Sequence, residues 1–415
     1  MKFDDYNISS ELKMSIGKLG FKKPTDIQFK TIPHVLKGED VLAIAQTGTG
    51  KTAAFAIPII EQLHELKKHQ TRKDGIKAIV MVPTRELAIQ INEVFVAISN
   101  NTRVKSFCVF GGVEQGPQIQ KLETGIDVLV ATPGRMFDLV SQGYIKLNRI
   151  KFLVLDEADH MLALGFIKDI RDLIKFLPDN RQTLFFSATI DQEIKKLAYS
   201  LVKNPIRIQI SPKDPVSKNV DHSLVMVEMD DKRFFLEKMI KNKPESKFIV
   251  FTRTKVRAER VVKAMARVDI TCESIHSDRT QDERFTAMNK FKSGIVKVLI
   301  ATDISARGID IPNVDYVVNY DIPEQAENYV HRVGRTGRGV LRGQAFSFCS
   351  KEELPMIQEV ELLLGKKIKI VDMNWNEYKE IVISSDDSHS DWKTLMKDIE
   401  KENSDYLKKK RKKKK

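Results

Sequence analysis

At 415 residues and 42% hydrophobic content the chain is long for a single core, and two or three domains are expected. Its three cysteines, Cys108, Cys272 and Cys349, form no C-x-x-C pair, and no apolar run reaches the roughly 18 residues of a membrane span, which argues against a zinc site, a disulfide framework and a membrane protein and points to a soluble, unexported, cytoplasmic one. The formal charge is +13, but the run Lys408 to Lys415 supplies eight of those charges, so the remaining +5 does not by itself make the folded body a polyanion binder.

In chain order, GFKKPTDIQ (Gly20 to Gln28) is a turn-rich segment in which Pro24 and Thr25 open a helix that ends near Gly38. Val41 to Ala45 reads as a buried strand and Ala53 to Ile60 as a packed helix, with AQTGTGKT between them. That order suits a phosphate site. Gly48 and Gly50 let backbone N–H groups turn toward one anion at a helix N-terminus, Lys51 reaches the outer phosphates and the Thr52 hydroxyl holds Mg²⁺. The pattern G-x-x-x-x-G-K-[ST] is met except at its first position, where Ala45 stands. Strand runs follow at Ile76 to Val82, stopped by Pro83, at Val104 to Phe110, ending in Gly111-Gly112, and at Ile126 to Ala131, ending in TPGR (Thr132 to Arg135). FLVLDEAD (Phe152 to Asp159) sets carboxylates directly after another strand, which a nucleotide site needs to hold a metal and activate water. RQTLFFSAT (Arg181 to Thr189) closes the series.

Strands alternating with helices predict α/β doubly wound parallel sheets, with ligands outside the carboxyl ends of the strands. SPKDPVSKN (Ser211 to Asn219) reads as a linker, after which the alternation restarts at Ser246 to Thr254, Ile270 to Asp278, Val296 to Asp303 and Val314 to Asp321, followed by a helix carrying HRVGRTGR. The second half has no phosphate loop, so one nucleotide pocket is expected. The expected division is 1–210, a linker 211–219, a second domain 220–366, and a flexible tail 367–415 that ends in the basic run, which would act as an electrostatic tether to a polyanionic partner.

These motifs, in this order from Phe3 to about Leu364, resemble the DEAD-box RNA helicases of superfamily 2, and the compact bacterial RhlE-like branch in particular. The resemblance implies two tandem RecA-like domains that bind ATP, Mg²⁺ and RNA across the cleft between them. It implies an adenine reader made of Phe3, Phe21 and Gln28, and a phosphate loop comprising Ala45, Gln46, Thr47, Gly48, Thr49, Gly50, Lys51 and Thr52. Asp156 would hold Mg²⁺ through water and Glu157 would be the general base. Ser187 and Thr189, with His331 and Arg332, would couple hydrolysis to RNA. The RNA backbone would be gripped by Pro83, Thr84, Arg85, Gly111, Gly112, Thr132, Gly134 and Arg135, and from the second domain by Thr252, Arg253, Gln281, Arg284 and Thr302. Asp310 would meet the ribose, and Arg335 and Arg338 would be arginine fingers. Two departures stand out: the family's HGD reads HSD, with Ser277 for Gly, and the segment after HRVGRTGR reads GVLRG. The activity implied is RNA-stimulated ATP hydrolysis that separates short duplexes and remodels ribonucleoprotein complexes, ribosomal RNA among the candidate substrates. The alternatives are an ATP-gated RNA clamp with slow turnover and a translocating DNA helicase.

Overall fold

The apolar runs form strands buried on both faces, as parallel sheets sandwiched between helices require. The computed structural model describes residues 2–45, 48–68, 75–189, 192–210, 219–303, 314–337 and 342–385. In the first half, α1 (Ser10–Lys18) and α2 (Asp26–Leu36) precede β1 (Val41–Ala45), α3 (Lys51–Lys68), β2 (Ala78–Met81), α4 (Arg85–Ser99), β3 (Ser106–Val109), α5 (Gly116–Glu123) and β4 (Val128–Ala131). Then come α6 (Pro133–Ser141), β5 (Phe152–Leu155), α7 (Ala158–Ala163), α8 (Ile167–Phe176), β6 (Gln182–Ser187), α9 (Gln192–Leu201) and β7 (Ile206–Ile210). The strands pair in parallel in the order β3-β4-β2-β5-β6-β1-β7. Alternate residues feed two cores: Ala43, Val80, Val154 and Phe186 pack on one face with Phe55, and Leu42, Ile79, Leu153 and Phe185 on the other. The order makes β1, β6 and β5 neighbours, so the strand ends bearing AQTGTGKT, SAT and DEAD converge.

The second half contains β8 (Val220–Met226), α10 (Lys232–Lys241), β9 (Phe248–Thr252), α11 (Lys255–Ala266), β10 (Cys272–Ile275), α12 (Gln281–Ser293), β11 (Val298–Thr302) and β12 (Tyr316–Asn319). It continues through α13 (Ala326–Val333), β13 (Gly343–Cys349), α14 (Leu354–Leu364), β14 (Lys369–Ile370) and α15 (Trp375–Ile383). Its sheet, β10-β11-β9-β12-β13-β8-β14, repeats the first position for position, with β14 where β7 stands.

That correspondence corrects the expected boundary at 366. The second sheet needs its seventh strand, and α15 then docks on α10: the Tyr378 hydroxyl donates to Asp231 Oδ2 at 2.7 Å and accepts from the Glu228 N–H at 3.1 Å, while its ring lies 5.0 Å from that of Phe235. The chain to Ser385 therefore belongs to the folded second domain, not to a flexible tail. The signal is weak in the sequence because β14 has two residues, both exposed. β7 escapes similarly, since Arg207 and Gln209 of IRIQI alternate outward on an edge strand. The helix expected to carry HRVGRTGR ends at Val333, so Arg335 sits in the turn beyond it. Residues 211–218 of the linker and the basic run lie outside the described residues. Among the described residues, no helix is long and apolar enough to cross a membrane.

A buried ionic cluster ties the second domain together. Lys232, fully buried, donates to Tyr320 O at 2.8 Å and to Glu353 Oε2 at 2.5 Å. Glu353 also accepts from Arg253 Nη2 at 3.0 Å and from the Ile322 and Ser350 N–H groups, each at 3.1 Å. Burial pulls the Lys232 pKa down and the Glu353 charge opposes this, the balance that keeps a buried ion pair viable.

Candidate nucleotide and RNA site

The site begins where β1 gives way to α3. Gly48 and Gly50 have φ of 81° and 92°, in the left-handed region. At Gly50 the close approach is explicit: a Cβ would lie 2.5 Å from Gln28 Nε2 and 3.1 Å from Thr25 Oγ1. Gln28 Nε2 donates to Gly50 O at 3.1 Å, and Gln28 Oε1 accepts from the Thr25 N–H at 3.0 Å. The glutamine expected only to read adenine thus also braces the phosphate loop, using one N–H and one lone pair and keeping one of each for a base. Phe3 is corrected too: it is buried, 5.8 Å from Phe21 and 6.0 Å from Tyr6 between ring centroids, so it backs Phe21 from the core rather than facing a ligand. Phe21 remains partly exposed. Gln46 and Thr47 lie outside the described residues.

From this geometry, Gln28→Ala should weaken every nucleotide by loosening the loop and weaken ATP most, since a site built to bond one base edge discriminates against bases that leave it unpaired. Competition among the four nucleotides checks this; an equal loss for all four would leave Gln28 the bracing role alone.

Lys51, the first residue of α3, is buried, and its ammonium donates to Ala45 O at 3.0 Å, held at the strand end. Thr52 follows, half-buried, and Asp156 lies buried at the end of β5. Burial pushes the Asp156 carboxyl up to about 6, with Lys51 pulling it down and Glu157 pushing it further up. A buried carboxylate with too little compensating positive charge, on the same sheet edge as a hydroxyl at a helix N-terminus, is a hard-oxygen donor set that fits Mg²⁺, which binds through one or two protein groups plus phosphate and water.

Glu157 is one of three non-glycine residues with positive φ among the described residues, at 51°, a strained conformation that aims its side chain off the strand end. Burial would raise its pKa, but the hydrogen bond with His160, whose Nδ1 lies 3.4 Å from Oε2, together with the charges of Lys51, His160 and Arg335, holds it down at about 2. The carboxylate therefore stays ionised and able to take a proton. Two residues here were not singled out from the sequence. His160 orients Glu157 from one helical turn on. Asp159 Oδ2 accepts from the Ala188 and Thr189 N–H groups at 3.1 and 3.2 Å and from Thr189 Oγ1 at 3.2 Å, joining DEAD to SAT. Ser187 is fully buried beside them at the end of β6.

Arg335 is buried, with Nε donating to His331 O at 3.2 Å, and is close enough to Glu157 to lower its pKa. A second-domain cation therefore reaches the Glu157 carboxylate of the first domain. Arg332, expected beside it as a coupling residue, faces inward: its guanidinium pairs with Asp303 at 2.6 and 2.8 Å and donates to Asn319 Oδ1 and Asp321 O. It anchors the second domain's strand ends. Asp310 and Arg338 lie outside the described residues.

The residues expected to grip RNA sit at strand ends and helix starts of both domains. Thr84 caps α4, its Oγ1 accepting from the Leu87 N–H at 3.3 Å, just after the buried Pro83. Arg85 lies over Gly112, where a Cβ would meet its Nη1 at 2.0 Å. Arg135 donates to Val113 O at 2.8 Å at the start of α6, which Thr132 precedes, and the space at Gly111 and Gly134 is open. Across the cleft, Arg85 Nη1 donates to Gln281 Oε1 at 3.3 Å, Gln281 Nε2 donates to Glu86 Oε1 at 3.2 Å, and Arg284 pairs with the same oxygen at 2.9 Å. Glu86 was also missed in the sequence. Thr252 and Arg253 differ from expectation: the Thr252 hydroxyl is fully buried and donates to Thr254 O at 3.3 Å, and Arg253 is held by Glu353 and Ile322 O. Both shape the end of β9, beside half-buried Thr302 of β11. The departure at Ser277 is exposed and leaves the adjoining His276 buried against Glu259 at 2.6 Å.

Two phosphate-site motifs on the strand ends that flank β6, completed by a second RecA-like domain, define a nucleotide-driven helicase core. A model of the DEAD/DEAH box helicase domain matches residues 25–197, and one of the helicase conserved C-terminal domain matches residues 231–340. The chain is 39% identical over 366 residues to the DEAD-box ATP-dependent RNA helicase CshA of Bacillus subtilis, covering 88% of this chain and 73% of that one. It is 41% identical over 363 residues to the ATP-dependent RNA helicase CshA of Limosilactobacillus reuteri, covering 88% and 72%. Among solved structures, S. cerevisiae Dbp5 bound to RNA and ADP BeF3 superposes with a TM-score of 0.81 at 29% identity, covering 92% of this chain and 98% of that one. A DEAD box protein from Methanococcus jannaschii, 36% identical and covering 90% and 99%, superposes with a TM-score of only 0.51. The chain belongs to the DEAD-box ATP-dependent RNA helicases, and the expected fold and activity are those of the family. These relatives carry the CshA name, so the family is established and the RhlE-like branch is not.

Proposed function

We propose that the protein hydrolyses ATP when ATP and RNA have drawn its two domains together, and that this cycle separates short RNA duplexes locally without reading their sequence. The observation that carries this reading is the pairing across the cleft: Glu86 receives Gln281 and Arg284 while Arg335 acts on Glu157. The superposition on the RNA- and nucleotide-bound Dbp5, set against the poorer one on a more identical relative, supports the same closed arrangement.

In this arrangement, Gln28 and Phe21 receive the adenine, and the loop from Ala45 to Thr52 receives the phosphates. Thr52 and Asp156 would hold Mg²⁺, which neutralises phosphate charge when bound. Glu157 takes a proton from the attacking water, and Arg335 and Arg338 offset charge on the transferred phosphoryl group. Arg85, Arg135, Gln281 and Arg284, with the backbone at Gly111, Gly112 and Gly134, hold phosphate oxygens, which position a strand but carry no base sequence. The substrates are single strands and short duplexes, ribosomal RNA and ribonucleoprotein complexes among them, in the cytoplasm.

Each ligand favours the closed form, so each must tighten the other. The affinity for a single-stranded RNA should therefore rise when a non-hydrolysable ATP analogue is present; equal affinities with and without the analogue would contradict the reading.

A further inference from the structure

The two sheets share one strand order, so β8 and α10 stand in the second domain where β1 and α3 stand in the first, and β12 stands where β5 does. Residues correspond as well as strands. Five residues separate β1 from Lys51 and five separate β8 from Lys232, each lysine being the first residue of its helix and each buried. Asp156 follows β5 and its N–H donates to Met81 O of β2 at 3.0 Å; Asp321 follows β12 and its N–H donates to Phe251 O of β9 at 3.2 Å. Both carboxylates are buried, and Lys232 Nζ lies 4.0 Å from Asp321 Oδ1. The second domain therefore keeps the lysine and the aspartate that the first assigns to phosphate and metal, although its connecting VEMDD (Val227 to Asp231) has no glycine and three carboxylates.

What the second lysine meets is a group of its own chain. Glu353, the last residue of a 3₁₀ turn (Lys351–Glu353) after β13, is buried, and its two oxygens collect donors as a phosphate would. Oε2 accepts from Lys232 Nζ at 2.5 Å and from the Ser350 N–H at 3.1 Å, and Oε1 accepts from Arg253 Nη2 at 3.0 Å and from the Ile322 N–H at 3.1 Å. Two cations and two backbone N–H groups converging on one anion have the make-up of an oxyanion site. Capping of the turn accounts for the Ser350 bond alone, since Lys232, Arg253 and Ile322 come from other elements. The connecting segment is answered internally too: the Glu228 N–H, placed where a phosphate loop would turn its N–H groups to the ligand, donates to the Tyr378 hydroxyl of α15 at 3.1 Å.

We propose that the second domain retains the anion-binding position of a RecA-like nucleotide site and fills it with its own Glu353 carboxylate, so that inorganic phosphate enters this position only when the carboxylate is removed. The chain has one nucleotide site because the other is occupied from within, and not because its cations were lost. Asp321 already pairs with Arg257, whose Nε lies 2.9 Å from Oδ1, which leaves Glu353 as the main counter-charge to Lys232 and Arg253. Without that carboxylate the buried cations are uncompensated, a costly state that a small oxyanion relieves. The comparison with Lys51 and Asp156 rests on the ATP reading of the first site; the contacts of Glu353, and the experiment on them, do not.

Thermal melting of the full-length protein tests this, with ADP and Mg²⁺ saturating so that the first domain's site is filled, and with inorganic phosphate titrated against chloride at equal ionic strength. Glu353→Ala should melt lower than the unaltered protein and recover as phosphate rises, by about 3–6 °C for each tenfold increase beyond its Kd. Glu353→Gln keeps the bulk of the side chain without its charge, so it should melt lower and stay unresponsive, and the unaltered protein should be unresponsive as well. No phosphate response in Glu353→Ala would overturn the proposal, because the cluster would then be a salt bridge with no anion site. A comparable response in Glu353→Gln or in the unaltered protein would also overturn it, as a general effect of the ion. If Glu353→Ala does not fold in chloride, its refolding yield decides: a yield restored by phosphate supports the proposal, and equal yields in the two salts refute it.

Discussion

Arg335→Ala is expected to lower RNA-stimulated kcat by about 10³–10⁵, the range an arginine finger contributes to phosphoryl transfer, while leaving ATP affinity nearly intact. The reason is geometric. Arg335 lies beyond α13 in the second domain, yet its charge acts on Glu157 of the first, so its contribution exists only while the domains are together. Arg335 is buried and bonded to His331 O, so removing it could also loosen the turn. Arg335→Lys separates the two effects: it keeps a cation but loses the planar fork, and a kcat deficit that persists at unchanged thermal stability assigns the loss to chemistry. Single-turnover hydrolysis at saturating RNA is the measurement, and an unchanged rate for both variants would remove Arg335 from the site.

Glu157→Gln should keep ATP binding and lower hydrolysis by about 10²–10⁴, the usual contribution of a positioned general base. Glutamine preserves the size of the side chain but cannot accept the water proton. Because the Glu157 carboxyl is held at about 2, the group is already ionised from mildly acidic to neutral pH. Its depressed value means that the charged form is lost only as pH falls toward 2, so Glu157 itself should impose no acid limb on the turnover profile near neutrality. Near-normal RNA-stimulated turnover in the glutamine variant would assign the base elsewhere.

How much of this could be read from the sequence depended on whether a residue's role is local. Lys51, Asp156 and the glycines of the loop are legible because a strand, a turn and a helix start fix their geometry within a few residues. β1, β2, β5 and β9 are legible because strands buried on both faces are continuous apolar runs. Glu86, Asp159 and His160 were not, because their importance lies in partners brought by other strand ends or by the next helical turn. Asp159 is the clearest example: it ends DEAD, and only the adjacency of β5 and β6 sets it against Ala188 and Thr189. Phe3 and Thr252 show the converse error, in which a motif position suggests a ligand contact and packing gives the side chain an internal partner instead. The end of the second domain was hidden because a two-residue edge strand carries almost no pattern, although its necessity follows once the two sheets are seen to share one strand order.

The central claim is that hydrolysis is conditional on a site assembled from both domains. Steady-state ATP turnover of the full-length protein, measured at saturating ATP with and without a saturating single-stranded RNA, tests it most directly. The account predicts a low rate alone and a large rise in kcat with RNA; the same kcat in both conditions would show that the first domain's site is complete by itself and would contradict it.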